Sequence, residues 1–300
     1  MRAYGVCIVL ATAGLVASCT LTTDLAGLTS GPSDEAGLPD GSRAPDGADI
    51  TDARAVDADA ASAAETSASD ADASDCPGNA GPVAIRVGAA PNTFCIDATE
   101  VTNAQYRAFL AAKGSDVGGQ PVTCTWNTSY LPGVWPVPPT LDGFPVVTVD
   151  WCDAQAYCAW AGKRMCGQIG GGPVDTMNQN PLFSQWMDAC TNGGQSAFPY
   201  GASYDAATCN TGTGVIGAVE SKTACVGGFS GLFDMSGSVE EWEDACTPNN
   251  NDPTHATDLC ARRGGSFNDG ANTANYACSS SLLNSRKALD SDAGIRCCSP

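Results

Sequence analysis

The chain has 300 residues, 43% of them apolar, enough for one sizeable domain with further segments. Its formal charge of −19, from 14 basic and 33 acidic residues, argues against nucleic acid or an anionic lipid face as a partner, because like charges repel. A single histidine, His255, excludes all-histidine metal sites and paired-histidine relays, and sixteen cysteines point to an oxidising compartment.

Met1-Arg2 gives a short positive start, and Tyr4 to Ala17 is a mostly apolar run. At about 1.5 Å per residue it is too short to span a hydrocarbon core of about 30 Å comfortably. The run ends in Val16-Ala17-Ser18-Cys19, which resembles a bacterial lipobox, where the cysteine is acylated and becomes the new N-terminus. Residues 1–18 are therefore expected to be a lipoprotein signal peptide and Cys19 the lipidated residue, a plain cleaved signal being the alternative. Thr20 stands where an aspartate would favour inner-membrane retention. The expected location is an exported, lipid-anchored protein of the outer membrane, on its periplasmic face or at the cell surface.

From Thr20 to Asp75 there is no Phe, Trp, Tyr or Cys, and thirteen acids face only Arg43 and Arg54. This segment carries 11 of the 19 net negative charges. It cannot bury enough apolar surface to offset its ordering entropy, so 19–75 reads as a disordered acidic linker. All six tryptophans and fourteen cysteines follow it, which places the folded domain at 76–300.

Within the domain, Thr102-Asn-Ala-Gln105 predicts a capping box, with Tyr106, Phe109 and Leu110 on one face and Gly114 as the stop. Asp150 can cap a second helix through Ala161, carrying Trp151, Ala154, Cys158 and Ala161 on one side. Asn180-Pro181 predicts a third from Leu182 to Cys190. Strand-like runs occur at Val83–Val87, Phe94–Asp97, Arg263–Phe267 and Ile295–Cys298. The expectation is an α+β domain, rich in loops, with little regular secondary structure and stapled by disulfides.

Six blocks then resemble the formylglycine-generating enzyme (sulfatase-modifying factor) family. They are Glu100 to Leu110, Val149 to Arg164, Phe198-Pro-Tyr-Gly201, Gly231 to Trp242, Arg263-Gly-Gly-Ser-Phe267 and Gly294-Ile-Arg-Cys297. They stand in family order and cover nearly all of 94–298. The resemblance implies a loop-rich fold related to C-type lectins, a fold shared by oxidases, sulfur-metabolite synthases and binding modules.

The family oxidase holds Cu(I) on two cysteines five residues apart, the first three positions after the serine of its Gly-Gly-Ser. Here Ser266 is retained, but Asp269 and Ala274 occupy those positions. Neither supplies the soft thiolate that Cu(I) needs, so copper is not expected. The sister synthase uses several histidines on iron, which His255 alone cannot provide.

The resemblance also implies disulfides Cys158–Cys297 and Cys190–Cys278, while Cys246–Cys260 and Cys209–Cys225 are candidate local bridges. Cys76, Cys95, Cys124, Cys152, Cys166 and Cys298 cannot be paired from sequence. It implies calcium on the side chains of Asp234 and Glu241 and the carbonyls of Gly237 and Val239, with Glu240, Glu243 and Asp244 adding charge. A second family calcium site would use Asn210 and the Thr211 carbonyl, its other ligands lying in a shortened segment.

Two functions fit. One is a surface lipoprotein whose domain is a calcium-stabilised binding or structural module for peptide, protein or glycan, a pseudoenzyme. The other is an oxidase acting on cysteine of exported sulfatases through an altered site.

Overall fold

Residues 76, 77, 80–178 and 180–300 are described by the structure, a computed structural model. The chain divides into two units, Met1–Ala64 and Glu65–Pro300, and every described residue belongs to the second. The signal peptide, Cys19 and the linker expected over 19–75 lie outside the described residues.

Helix α1 spans Asn103–Lys113 and opens with the expected box. Gln105 N donates to Thr102 Oγ1, and Thr102 N donates to Gln105 Oε1 at 2.8 Å. The helix stops at Gly114, whose φ of +58° suits a residue without Cβ. Helix α2, Trp151–Trp160, repeats the device with Asp150 and Asp153, and Ala161 is its C-cap. Tyr106 and Phe109 of α1 pack on Tyr157 of α2, with ring centroids 5.6 Å apart in both cases.

Helix α3 covers Gln185–Thr191, so the start expected at Leu182 is corrected by three residues. Asn180 Oδ1 accepts from Leu182 N and holds 181–183 as a turn, and Ser184 then caps the helix by accepting from Met187 N. Leu182 and Phe183 stay exposed, so extending the helix over them would bury no apolar face.

Two four-stranded sheets complete the domain. The first orders β1 (Ala84–Val87), β2 (Phe94–Asp97), β8 (Cys297–Ser299) and β3 (Arg164–Met165), all antiparallel. Cys95 faces Ser299 and Ile96 faces Cys298, so the C-terminal strand closes against the first hairpin. The second orders β6 (Leu282–Ser285), β5 (Leu259–Arg263), β4 (Glu240–Thr247) and β7 (Ala293–Gly294), with only β4–β7 parallel.

Three strand expectations change. Val83 is 67% exposed and lies outside β1. The strand predicted over Arg263–Phe267 instead ends at Arg263, because Gly264 and Gly265 take φ of +91° and +67°. Of the run Ile295–Cys298 only Cys297 and Cys298 are in a strand, β8, while Ile295 and Arg296 lie buried between β7 and β8.

Seven disulfides join all fourteen cysteines from Cys76 to Cys298. They are Cys158–Cys297, Cys190–Cys278, Cys209–Cys225, Cys246–Cys260, Cys76–Cys95, Cys124–Cys152 and Cys166–Cys298. One core cluster lies between α1, α2 and the second sheet, around Tyr106, Tyr157 and Trp242. A second lies under β1, β2 and α3, around Phe94, Trp186 and Leu232, and a small third joins Val174, Ala245 and Ala261. Among the described residues no helix is long and apolar enough to cross a membrane.

Candidate functional site

The turn after β5 sets the geometry. A Cβ on Gly264 would come within 3.3 Å of the Trp186 ring, and one on Gly265 within 2.7 Å of the Tyr276 ring. Only glycines let the chain pass between these aromatics in the left-handed conformation. Ser266 follows, fully buried: its N–H donates to Asp269 Oδ2 at 2.7 Å, and its hydroxyl donates to Asp292 Oδ2 at 3.3 Å and accepts from Asn268 N. Ser266 and Asp269 are thus partners in one hydrogen-bonded turn. Ala274 lies farther on, exposed in the 3-10 turn Thr273–Tyr276. Cys278 is bonded to Cys190, and no cysteine of the described residues is left as a thiol.

The acceptor of the Ser266 hydroxyl is a carboxylate, Asp292, and the histidine is engaged elsewhere. His255 Nδ1 sits 3.1 Å from Asp258 Oδ2, and Asp258 is also paired with Arg286. What surrounds the turn is acidic. Glu240 is pushed up to about 7, chiefly by burial, with Asp269, Asp292 and Asp290 adding to the rise against Arg262. Arg262 Nε lies 2.7 Å from Glu240 Oε2 but is not aligned for a hydrogen bond, so the pair is Coulombic.

Beside this turn lies an aromatic row. Phe198 stacks on Tyr200 at 5.7 Å, Tyr204 tilts against Phe198 at 5.9 Å, and Tyr204 stacks on Tyr276 at 5.6 Å. The Tyr276 hydroxyl donates to Gly270 O, and Tyr204 shares a hydrogen bond with Thr211, so both rings are fixed. Phe198 and Tyr200 belong to a motif singled out in the sequence. Tyr204 and Tyr276 were missed, since nothing local in the sequence links them.

Of the expected calcium ligands, Asp234, Gly237 and Val239 lie in the tight loop leading into β4, and Glu241 is in the strand itself. Asp234, Gly237 and Ser238 have φ of +59°, +76° and +58°, which coils the loop. Asn210 O accepts from Ser238 N, but the Asn210 side chain is held in its own loop, accepting from Thr213 and donating to Val215 O. Glu241 accepts from Arg296 Nε at 2.9 Å and from Trp186 Nε1 at 2.6 Å. The remaining acids of the segment do not converge. Glu243 pairs with Arg263 and Ser184, Glu240 pairs with Arg262, and no group of three His, Cys, Asp or Glu among the described residues is placed to hold a metal.

Glu100, from the segment before α1, faces Asp234, Glu241 and Arg296. Glu100, fully buried, has no hydrogen-bond partner on either oxygen, and Arg296 Nη2 is 3.9 Å away. Burial raises the Glu100 carboxyl well above its ordinary range, and Asp234 and Glu241 raise it further. Asp234 is itself pushed up to about 6 by burial. Three carboxyl groups, Glu100, Asp234 and Glu241, thus share one arginine, Arg296.

These features together define a disulfide-stapled, glycine-turned module with a buried carboxylate–arginine centre and no free thiol among its described residues. The model of the sulfatase-modifying factor enzyme 1-like domain matches residues 72–299, and the chain belongs to that family. It is 31% identical over 112 residues to the inactive C-alpha-formylglycine-generating enzyme 2 of Bos taurus, covering 33% of this chain and 32% of that protein. It is 27% identical over 143 residues to the formylglycine-generating enzyme of the same species, covering 37% and 34%. The matches thus span about a third of these relatives' lengths. Among solved structures, CarF aligns at a TM-score of 0.47 and 20% identity, covering 75% of this chain and 96% of that one.

Proposed function

We propose that this domain is a non-catalytic binding or structural module of an exported lipoprotein, stabilised by calcium at the Asp234 loop. The observation that carries the reading is the pair Asp269 and Ala274. One is tied to Ser266 N and the other is exposed on a turn, and all fourteen described cysteines are in disulfides. Nothing at the turn offers Cu(I) a thiolate, so copper does not fit the residues present. A relative described as inactive is consistent with this reading. Tyr200 and Tyr204, the half-buried members of the aromatic row, are backed by buried Phe198 and Tyr276 and supply fixed rings for a peptide or glycan. Seven disulfides fit a chain that folds in an oxidising compartment.

The calcium part rests on the unpartnered Glu100 carboxylate and on three acids sharing Arg296. Asp234 and the carbonyls of Gly237 and Val239 would hold the ion, with Glu241 contributing charge while bonded to Arg296 and Trp186. Asn210, expected with the Thr211 carbonyl at a second calcium site, has its side chain engaged by Thr213 and Val215, so no second ion is proposed there.

The chain loaded with Cu(I) and given a Cys-x-Pro-x-Arg peptide should make no formylglycine. Conversion of the peptide thiol to an aldehyde, read by mass, would establish the oxidase instead. The anchor has its own test: palmitate should label the wild type and not Cys19→Ser.

A further inference from the structure

On the face formed by the β1–β2 turn and the end of α3, a cavity of about 250 Å3 has Asp188 at its base. Asp188 is 6% exposed, and its Oδ2 has no hydrogen-bond partner. That oxygen looks across Gly88, where a Cβ would stand 3.5 Å from it. None of the lining residues is basic. Asn92, Asn192 and Gln195 are the neutral polar residues of the lining, and Leu182 and Phe229 give it an apolar rim.

The walls are fixed in place. Cys190, two residues on in α3, is bridged to Cys278, and Asn92 N donates to Ala89 O at 2.7 Å to close the β1–β2 turn. The third wall comes from the 227–229 turn, where a Cβ on Gly228 would fall 1.7 Å from Ala189 O, so this turn sits directly on the helix backbone. Each wall of the cavity is therefore held by something other than a ligand.

A buried carboxylate oxygen without a partner is costly, because it loses water and gains nothing in return. The cavity is far larger than the roughly 10–15 Å3 that one water needs, so it has room for an organic group. A bare metal ion would need several oxygen ligands converging on it, and Asp188 is the one acid of the lining. A primary ammonium fits better. It carries three N–H donors for the carboxylate and the amide oxygens, and a short alkyl chain would lie against the rim.

We infer that the cavity at Asp188 is a binding site for a small primary ammonium, either a free alkylamine or a lysine side chain. Charge pairing at the base gives orientation, and the Leu182–Phe229 rim gives selectivity for chain length. The site is independent of the Ser266 turn and of calcium.

Calorimetric titration of the full chain with n-butylammonium chloride at pH 8 and fixed ionic strength tests this directly. Saturable one-to-one binding is expected, with n-butanol at least tenfold weaker. Asp188→Asn, which keeps the shape and removes the charge, should abolish binding while its melting transition shows that it is folded. Leu182→Ala alters an exposed side chain, so folding is not at risk. It should leave methylammonium binding unchanged and weaken n-butylammonium severalfold. Tighter binding of Nα-acetyl-lysine methylamide would assign the site to a peptide lysine, and tighter n-butylammonium to a free amine. Undiminished binding by folded Asp188→Asn, competition by calcium or potassium at equal concentration, or no saturation by tens of millimolar would overturn the inference.

Discussion

Arg296 is fully buried, and its guanidinium reaches four places at once. It donates to Glu241, to Asp97 O at 2.6 Å and to Phe233 O at 2.8 Å, and it lies 3.9 Å from Glu100. The planar fork is suited to this, whereas a lysine would serve only one partner at a time. Removing it strands two carboxylates that are at most 1% exposed. Breaking a buried pair from one side costs about 3–5 kcal/mol. Arg296→Met should therefore lose stability of that order in urea unfolding at pH 7. The loss should shrink at pH 4, where Glu100 and Glu241 are protonated and need no cation. A loss that is equal at both pH values would show that packing, rather than charge, is what the arginine supplies.

Among the elements, the C-terminal strand β8 is held most heavily. Its three residues pair with β2 and β3, and two of them are bridged, Cys297 to Cys158 of α2 and Cys298 to Cys166 beside β3. These bridges close loops of 139 and 132 residues, for which the chain-entropy model gives roughly 5 kcal/mol each, with measured losses of about 2–5 kcal/mol. The double replacement Cys166→Ala and Cys298→Ala should cost about 2–5 kcal/mol. Amide exchange should rise first at Ile96 and Met165, the neighbours of the loosened strand. Exchange that rises instead around α1 would place the weak point elsewhere.

The elements also differ in how legible they were in the sequence. Helices α1 and α2 announce themselves because their caps are local: Thr102 with Gln105, and Asp150 with Asp153. The start of α3 did not, since Asn180 and Ser184 are both capable caps and only tertiary burial selects Ser184. Strand β4 was read as part of an acidic ion loop, because Glu-Glu-Trp-Glu-Asp is poor strand material by propensity. What permits it is remote in sequence: Arg262, Arg263 and Arg296 neutralise Glu240, Glu243 and Glu241 from other elements. The same distance hides the aromatic row, whose Tyr204 and Tyr276 lie on opposite sides of the β4–β5 hairpin in the chain. The Asp188 cavity gave no sequence signal either, because it is assembled from the β1–β2 turn, α3 and two loops.

At the scale of the whole molecule, burial moves its carboxylates in one direction. Asp97, Asp150, Asp188 and Asp234 are pushed up to about 6 and Glu240 to about 7, in each case chiefly by desolvation. Asp97 stays raised although Lys163 lies 2.5 Å from it. Exposed Asp252 moves the other way, lowered by its hydrogen bonds to Thr254 and Thr257. For a raised group the folded state binds the proton more tightly than the unfolded chain does. Its contribution to stability is full below the ordinary carboxylate range and is lost as pH rises through 6 to 7. The urea midpoint should accordingly fall between pH 5 and pH 8. Calcium enters this balance on the high-pH side, where Asp234 is ionised and able to hold it. A ligand at a hundred times its dissociation constant adds about 2.7 kcal/mol to the state that binds it. Calcium should thus raise the midpoint at pH 7.5 and have little effect at pH 5. Asp234→Asn should remove the calcium response while keeping most of the pH slope, because Asp97, Asp150 and Glu240 are untouched. A midpoint that rises from pH 5 to pH 8 without calcium would mean that the arginines outweigh desolvation across the molecule. A calcium response that survives in Asp234→Asn would move the ion to another loop.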